Sequence, residues 1–210
     1  MTNATTTPRA VGWRLHTPNA LVWLRLGLAG VFFALLSRWS PDHQADADPM
    51  LLAAAGLFVV AALTDAADGY LARKWNAITR FGRVMDPFAD KILVLGALVL
   101  LAGPGFNDAG TPLAGFTGWM VVVIIARELL VTSLRGLAEG SGIDASANWS
   151  GKIKMILQSV AVPGVLLSIA LLDQPMSQRV NTGLAWATTI VTALSACPYI
   201  TRAIAQGKTA

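Results

Sequence analysis

Cysteine, histidine and charge are all scarce in this chain of 210 residues. The single cysteine, Cys197, excludes a disulfide within the chain, and its apolar surroundings suggest a buried thiol that serves only packing. Only two histidines occur, His16 and His43, both in flanking or loop sequence, which leaves no histidine-based metal or nucleophile arrangement. Charged residues make up 13% of the chain, where a soluble domain carries about a quarter. The opening MTNATTTPRAVGWRLHT has neither an apolar core nor a small-residue cleavage site, so no signal peptide is expected. No basic face with interleaved aromatics accompanies the net charge of +4, and nucleic acid is not an expected partner.

Apolar sequence fills the space that charge leaves. Hydrophobic residues make up 54% of the chain and mean hydropathy is +0.56, the composition of a membrane protein. The apolar runs predict an all-α, polytopic fold with six transmembrane helices, over 19–38, 50–74, 82–102, 113–136, 152–172 and 178–202. Each is near the 20 or so residues that a bilayer requires. Pro18 and Asn19 are expected to open the first span, GPGFNDAGTP to form a turn, and Pro163–Gly164 to bend the fifth span. Residues 1–17 are expected to form a cytoplasmic N-terminal segment with a short interfacial helix over 9–16, and residues 18–205 one transmembrane domain.

Lysine and arginine gather on one side: Arg9, Arg14, Arg73, Lys74, Arg80, Arg83, Arg135, Lys152, Lys154, Arg202 and Lys208. The other side holds Arg38 and Arg179 with Asp42, Asp46, Asp48, Asp108 and Asp173. The positive-inside rule therefore puts both termini in the cytoplasm.

Against this background the stretch TDAADGYLARKWNAITRFGRVMDPFAD stands out. It holds four aspartates, Asp65, Asp68, Asp86 and Asp90, between two of the most apolar runs in the chain. One acid at the centre of a membrane helix costs roughly 2.5–3.5 kcal/mol, so four uncompensated acids approach ~10 kcal/mol. Divalent cations cancel that charge and prefer oxygen ligands. Helical spacing sets Asp65, Asp68 and Ala72 on one face of the second span, and Gly82, Asp86 and Asp90 on one face of the third. A short basic turn between them brings the two acidic faces opposite each other, which points to a metal site near the cytoplasmic ends. Pairing of the aspartates with the arginines of that turn is the simpler alternative.

The pattern D-x2-D-G-x2-A-R-x8-G-x3-D-x3-D, filled by Asp65, Asp68, Gly69, Ala72, Arg73, Gly82, Asp86 and Asp90, resembles the signature of the CDP-alcohol phosphotransferases. The resemblance implies transfer of the phosphoryl-bearing half of a CDP-linked donor to an alcohol, with CMP released. It implies two divalent ions, Mg²⁺ or Mn²⁺, on Asp65, Asp68, Asp86 and Asp90, with Asp90 also the general base. It implies a CDP site of Asp65, Asp68, Gly69, Ala72, Arg73, Gly82 and Asn19. Small residues at Gly69 and Ala72 leave room for a base or ribose, and they serve close helix packing equally well. The phrases PNALVWLR, ITRFGRVMDPFADK, ARELLVTSLR and SGKIKMILQ resemble the branch of the family that makes phosphatidylglycerol phosphate. That branch implies CDP-diacylglycerol as donor, sn-glycerol 3-phosphate as acceptor, a homodimer, and the inner membrane of a bacterium. One position departs from its pattern: Val22 stands where a threonine is usual.

Cations that the acids do not require are candidates for the acceptor phosphate: Arg127, Arg135, Lys152 and Lys154. Simpler roles stand beside this one, an intramembrane pair of Arg127 with an aspartate or Glu128, and anchoring of Lys152 and Lys154 at the cytoplasmic surface. A cardiolipin synthase or another acceptor specificity on the same scaffold is the nearest rival function. A metal ion transporter is the distant one, since intramembrane acids also mark ion pathways.

Overall fold

The computed structural model describes residues 13–41, 47–75, 80–140 and 149–207, with no side-chain detail at 13–21, 65–87, 90, 139, 150 and 205–207. Seven helices account for most of it: α1 (Trp13–Arg38), α2 (Pro49–Trp75), α3 (Arg80–Leu101), α4 (Gly118–Gly140), α5 (Trp149–Leu171), α6 (Gln174–Leu194) and α7 (Cys197–Gly207). Between α3 and α4 come a 3-10 turn (Pro104–Phe106) and a small hairpin of β1 (Asn107–Asp108) and β2 (Thr111–Pro112). The hairpin holds the only strands among the described residues. Asp108 pairs with Thr111, so Ala109 and Gly110 form the loop, at φ 47° and 87°. Two consecutive positive φ angles suit the right-handed twist of a tight hairpin.

Among the described residues, two helical segments are long and apolar enough to cross a membrane, Gly151–Leu171 and Gln174–Ile204. Large apolar side chains on the outer faces of the helices, including Trp23, Leu63, Val122, Leu129 and Leu194, are exposed. Apolar side chains exposed on this scale, on helices long enough to cross a bilayer, fit a lipid surround. The protein is an integral membrane protein.

The core lies where α1, α2, α3 and α5 meet. Phe32, Leu51, Phe58, Leu98 and Leu166 are buried there, and the Phe32 and Phe58 rings meet at 5.5 Å and 55°. Arg25, a charge inside the first apolar run, is buried: it is 1% exposed. Cys197 differs from expectation, since it is exposed at the first position of α7.

Helix boundaries shift where local chemistry outweighs hydropathy. α1 runs unbroken through Pro18 instead of opening there, although a proline at the sixth position gives up the backbone bond to the residue-14 carbonyl. Residues 13–16 of the expected interfacial helix therefore belong to α1, and residues 9–12 lie outside the described set. α4 begins at Gly118 rather than 113, because Leu113–Thr117 form a turn. Gly115 sits there at φ +72°, and a Cβ on it would come within 2.5 Å of the Asn181 carbonyl. Only glycine fits. Asn181, fully buried, donates from Nδ2 to the Leu113 carbonyl at 2.8 Å and accepts from the Ser168 hydroxyl, tying α5 and α6 to this turn. α5 continues through Pro163. The sixth span divides into α6 and α7 at Ser195–Ala196, which puts Pro198 in the first turn of α7, where its missing N–H costs least.

Asp48 closes the end of α2 remote from the acids. Its Oδ1 accepts from the Met50 and Leu51 N–H groups at 2.9 and 3.3 Å, an N-cap. Its Oδ2 accepts from Trp39 Nε1 at 2.5 Å, and the Trp39 ring stacks on Phe106 at 4.5 Å. Asp48→Ala removes the cap, worth ~1 kcal/mol, and strands a buried indole N–H, worth about 1–3 kcal/mol. The expected outcome is a loss of about 2–4 kcal/mol, read as a lower thermal unfolding midpoint in detergent. Turnover per folded molecule should stay within twofold, because Asp48 lies ~25 Å along α2 from Asp65.

Candidate active site

Two groups of residues, on neighbouring elements, make up the site expected from sequence. The first is acidic. Asp65 and Asp68 lie on α2, and Asp86 and Asp90 on α3, so both pairs are helical and each pair is about one turn apart. The side chains of all four lie outside the described residues, as do those of Gly69, Ala72, Arg73, Gly82 and Asn19. Among the described residues no cluster of three or more His, Cys, Asp or Glu is present. The four aspartates expected from sequence are all hard oxygen donors, a chemistry that fits Mg²⁺ or Mn²⁺ rather than a thiophilic metal.

The second group is cationic and described in full. Arg127 and Glu128 lie mid-way along α4, 7% and 5% exposed. Adjacent helical residues diverge by ~100°, so side chains that meet at i and i+1 must both bend towards a common point. Here Arg127 Nη1 donates to Glu128 Oε1 at 3.2 Å. From α5, Lys154 Nζ donates to the same oxygen at 2.5 Å. Arg127 Nη2 donates to the Ser195 carbonyl at 3.3 Å, and its guanidinium lies 5.9 Å from the centre of the Tyr199 ring. Arg127 Nε is buried and has no acceptor among the described residues.

The break between α6 and α7 makes part of this arrangement possible. In an unbroken helix the Ser195 carbonyl would accept from the Tyr199 N–H. Instead that N–H donates to the Ala196 carbonyl at 3.0 Å, which frees the Ser195 oxygen for Arg127. Lys91, next in sequence to Asp90, donates to Thr132 Oγ1, and this hydroxyl itself donates to the Glu128 carbonyl at 2.7 Å. The polar lattice thus spans α3, α4, α5 and the α6–α7 break.

Two of the four expected acceptor cations come together here, Arg127 and Lys154. The anticipated pairing of Arg127 with Glu128 is also present, so the pair and the cation cluster coexist. Lys152 does not join them. Two residues from Lys154 on α5, it points away, exposed, with Nζ 5.5 Å from the Trp149 ring centre. Arg135 is half-buried further along α4. Sequence reasoning missed Lys91, Thr132, Ser195 and Tyr199. Only Lys91 carried a usable signal, as a cation one residue from a candidate base.

Comparison with known proteins gives the same reading from an independent direction. A family model described as CDP-alcohol phosphatidyltransferase matches residues 15–194. A Bacillus subtilis protein is 40% identical over 157 residues, covering 72% of this chain and 77% of the relative. An Escherichia coli K12 protein is 36% identical over 162 residues, covering 73% and 78%. A Mycoplasma genitalium protein is 38% identical over 112 residues, covering 53% and 44%. All three are named CDP-diacylglycerol–glycerol-3-phosphate 3-phosphatidyltransferase. With its acidic helix pair and a family match over most of its length, this chain belongs to the CDP-alcohol phosphatidyltransferase family.

Proposed function

We propose that the protein transfers the phosphatidyl group of CDP-diacylglycerol to sn-glycerol 3-phosphate, giving phosphatidylglycerol phosphate and CMP. The observation that carries the choice of acceptor is the buried Arg127–Glu128–Lys154 cluster, which offers two cations and an unmatched guanidinium N–H. A phosphorylated alcohol has an anion to place there, whereas an uncharged alcohol has none. The names of the bacterial relatives support the same acceptor.

In this reading Asp65, Asp68, Asp86 and Asp90 hold two divalent ions, Mg²⁺ or Mn²⁺. When bound, the ions neutralise the donor pyrophosphate and stabilise the leaving phosphate of CMP. Asn19, Gly69, Ala72, Arg73 and Gly82 accommodate the CDP moiety, with Arg73 donating to a phosphate. Arg127 and Lys154 bind the phosphate of the acceptor, with Arg135 and Lys152 drawing it in from the cytoplasmic surface. Its free primary hydroxyl then lies next to Asp90, which accepts the hydroxyl proton. The oxygen attacks the phosphorus that carries diacylglycerol, the bond to the CMP oxygen breaks, and CMP departs. Lys91, bonded to Thr132 and one residue from Asp90, links the base to the cation cluster.

The same proposal extends to topology. Six spans cross the inner membrane of a bacterium, one on each of α1 to α5 and a sixth over α6 and the start of α7; residues 1–17 precede the first span on the cytoplasmic side, and residues 18–205 form the enzyme domain. The active site opens to the cytoplasm, where water-soluble sn-glycerol 3-phosphate meets a membrane-held donor, and the working unit is a homodimer. The lysine and arginine distribution supports this orientation.

The test is an assay of purified protein with CDP-diacylglycerol and Mg²⁺ or Mn²⁺, with sn-glycerol 3-phosphate and phosphatidylglycerol offered separately. CMP release and phosphatidylglycerol phosphate, resolved by mass spectrometry, are expected only with the first acceptor. Cardiolipin from the second, with no product from the first, would assign the chain to a cardiolipin synthase instead.

A further inference from the structure

Glu128 has no assigned part in the reaction, and its presence runs against simple anion capture. A carboxylate set between two cations repels the very phosphate those cations are to bind. Yet its Oε1 is the point on which both converge, Arg127 from α4 at 3.2 Å and Lys154 from α5 at 2.5 Å. Without it, two like charges at this depth repel each other, and Lys154 is close enough to feel the charges of both Arg127 and Lys91. Lysine and arginine are the side chains with the most rotamer freedom to lose, so a seat made from both requires something to hold them.

We infer that Glu128 is a positioning residue for the acceptor: it clamps Arg127 and Lys154 side by side, so that they form a ready-made seat for a phosphate monoester. This rests on the acceptor reading given above. Three contacts then fix the guanidinium, with Nη1 on Glu128, Nη2 on the Ser195 carbonyl and one face towards Tyr199. Nε is the buried donor left for a ligand oxygen among the described residues. The clamp also limits the excess charge. By formal charge Arg127, Lys154 and Glu128 sum to one positive charge, and Lys91 brings the sum to two. A dianionic monoester matches that charge, whereas a diester with one negative charge leaves it half compensated.

Steady-state kinetics of Glu128→Gln with both substrates varied test the inference. The expected result is a KM for sn-glycerol 3-phosphate raised at least tenfold, with kcat within threefold and the KM for CDP-diacylglycerol unchanged. Glu128→Asp keeps the charge but reaches one cation at a time, and it should show the same split at smaller size; it decides the matter if the glutamine variant does not fold. Adding Lys154→Met to Glu128→Gln should raise the acceptor KM by less than Lys154→Met does alone, because the clamp is already lost. An unchanged acceptor KM, or a fall in kcat with both KM values intact, overturns the inference and leaves Glu128 a structural pair. Failure of the wild-type protein to use sn-glycerol 3-phosphate at all defeats the acceptor reading instead, so the two failures are told apart by the wild-type control.

Discussion

Asp90→Asn is expected to lower kcat by about 10³-fold or more while CDP-diacylglycerol still binds. The substitution changes almost nothing in shape but removes a charge and a basic oxygen. General-base catalysis contributes about 10²–10⁴ in rate, and a primary hydroxyl does not surrender its proton at neutral pH unaided. On the proposed reading, losing one anionic ligand from the cation site adds to the deficit. The other three aspartates remain to hold the donor, so the loss should fall on turnover rather than on donor binding. CMP release measures the first quantity, and stabilisation of the purified protein by CDP-diacylglycerol against heat measures the second. Activity within tenfold of wild type would move the base to another residue, with Asp86 the first to examine.

The next largest effect is expected at Arg127. Replacing it with methionine keeps the apolar stem and removes the guanidinium, which should raise the KM for sn-glycerol 3-phosphate by ~10²-fold, equivalent to about 2.7 kcal/mol. That is in the range of one charge-assisted hydrogen bond network in a desolvated site. Glu128 keeps Lys154 as a partner, so folding should survive better than after loss of the sole partner of a buried charge, which costs about 3–5 kcal/mol. Arg127→Lys should rescue poorly. An ammonium is a point charge and does not reach Glu128 Oε1 and the Ser195 carbonyl in one conformation while keeping a donor free. Initial rates across an acceptor series, with the donor saturating, measure both. An Arg127→Lys variant with wild-type KM would show that charge alone, and not the forked geometry, is what the site uses.

Hydropathy located the long helices because a bilayer demands about 20 apolar residues for each crossing, a constraint that few residues can disguise. It also singled out Arg127 and Glu128, since a charge inside such a run requires a partner. What it did not reveal was anything set by two distant segments at once. The start of α4 depends on Gly115 lying against the Asn181 carbonyl, 66 residues later in the chain, and no local pattern records that. Asp48 reads as one more acid in a polar loop until its contact with Trp39 is seen. Lys152 and Lys154 look equivalent in SGKIKMILQ, but a helix sends residues two apart to opposite sides, so one meets Glu128 and the other a tryptophan. The acids are the reverse case. Their signature is written in short-range spacing, and the family it pointed to is the one whose model matches residues 15–194.

The interruption after Leu194 ties the chain's tail to the chemistry. The oxygen it liberates grips a guanidinium, and the Tyr199 ring lies alongside it, so the last helix acts as a strut whose upper end bears on the cation seat. Pulling, shortening or anchoring that strut shifts Arg127 with it. On the proposed reading of Arg127, a displacement of α7 reaches acceptor affinity through the Ser195 carbonyl and the Tyr199 ring.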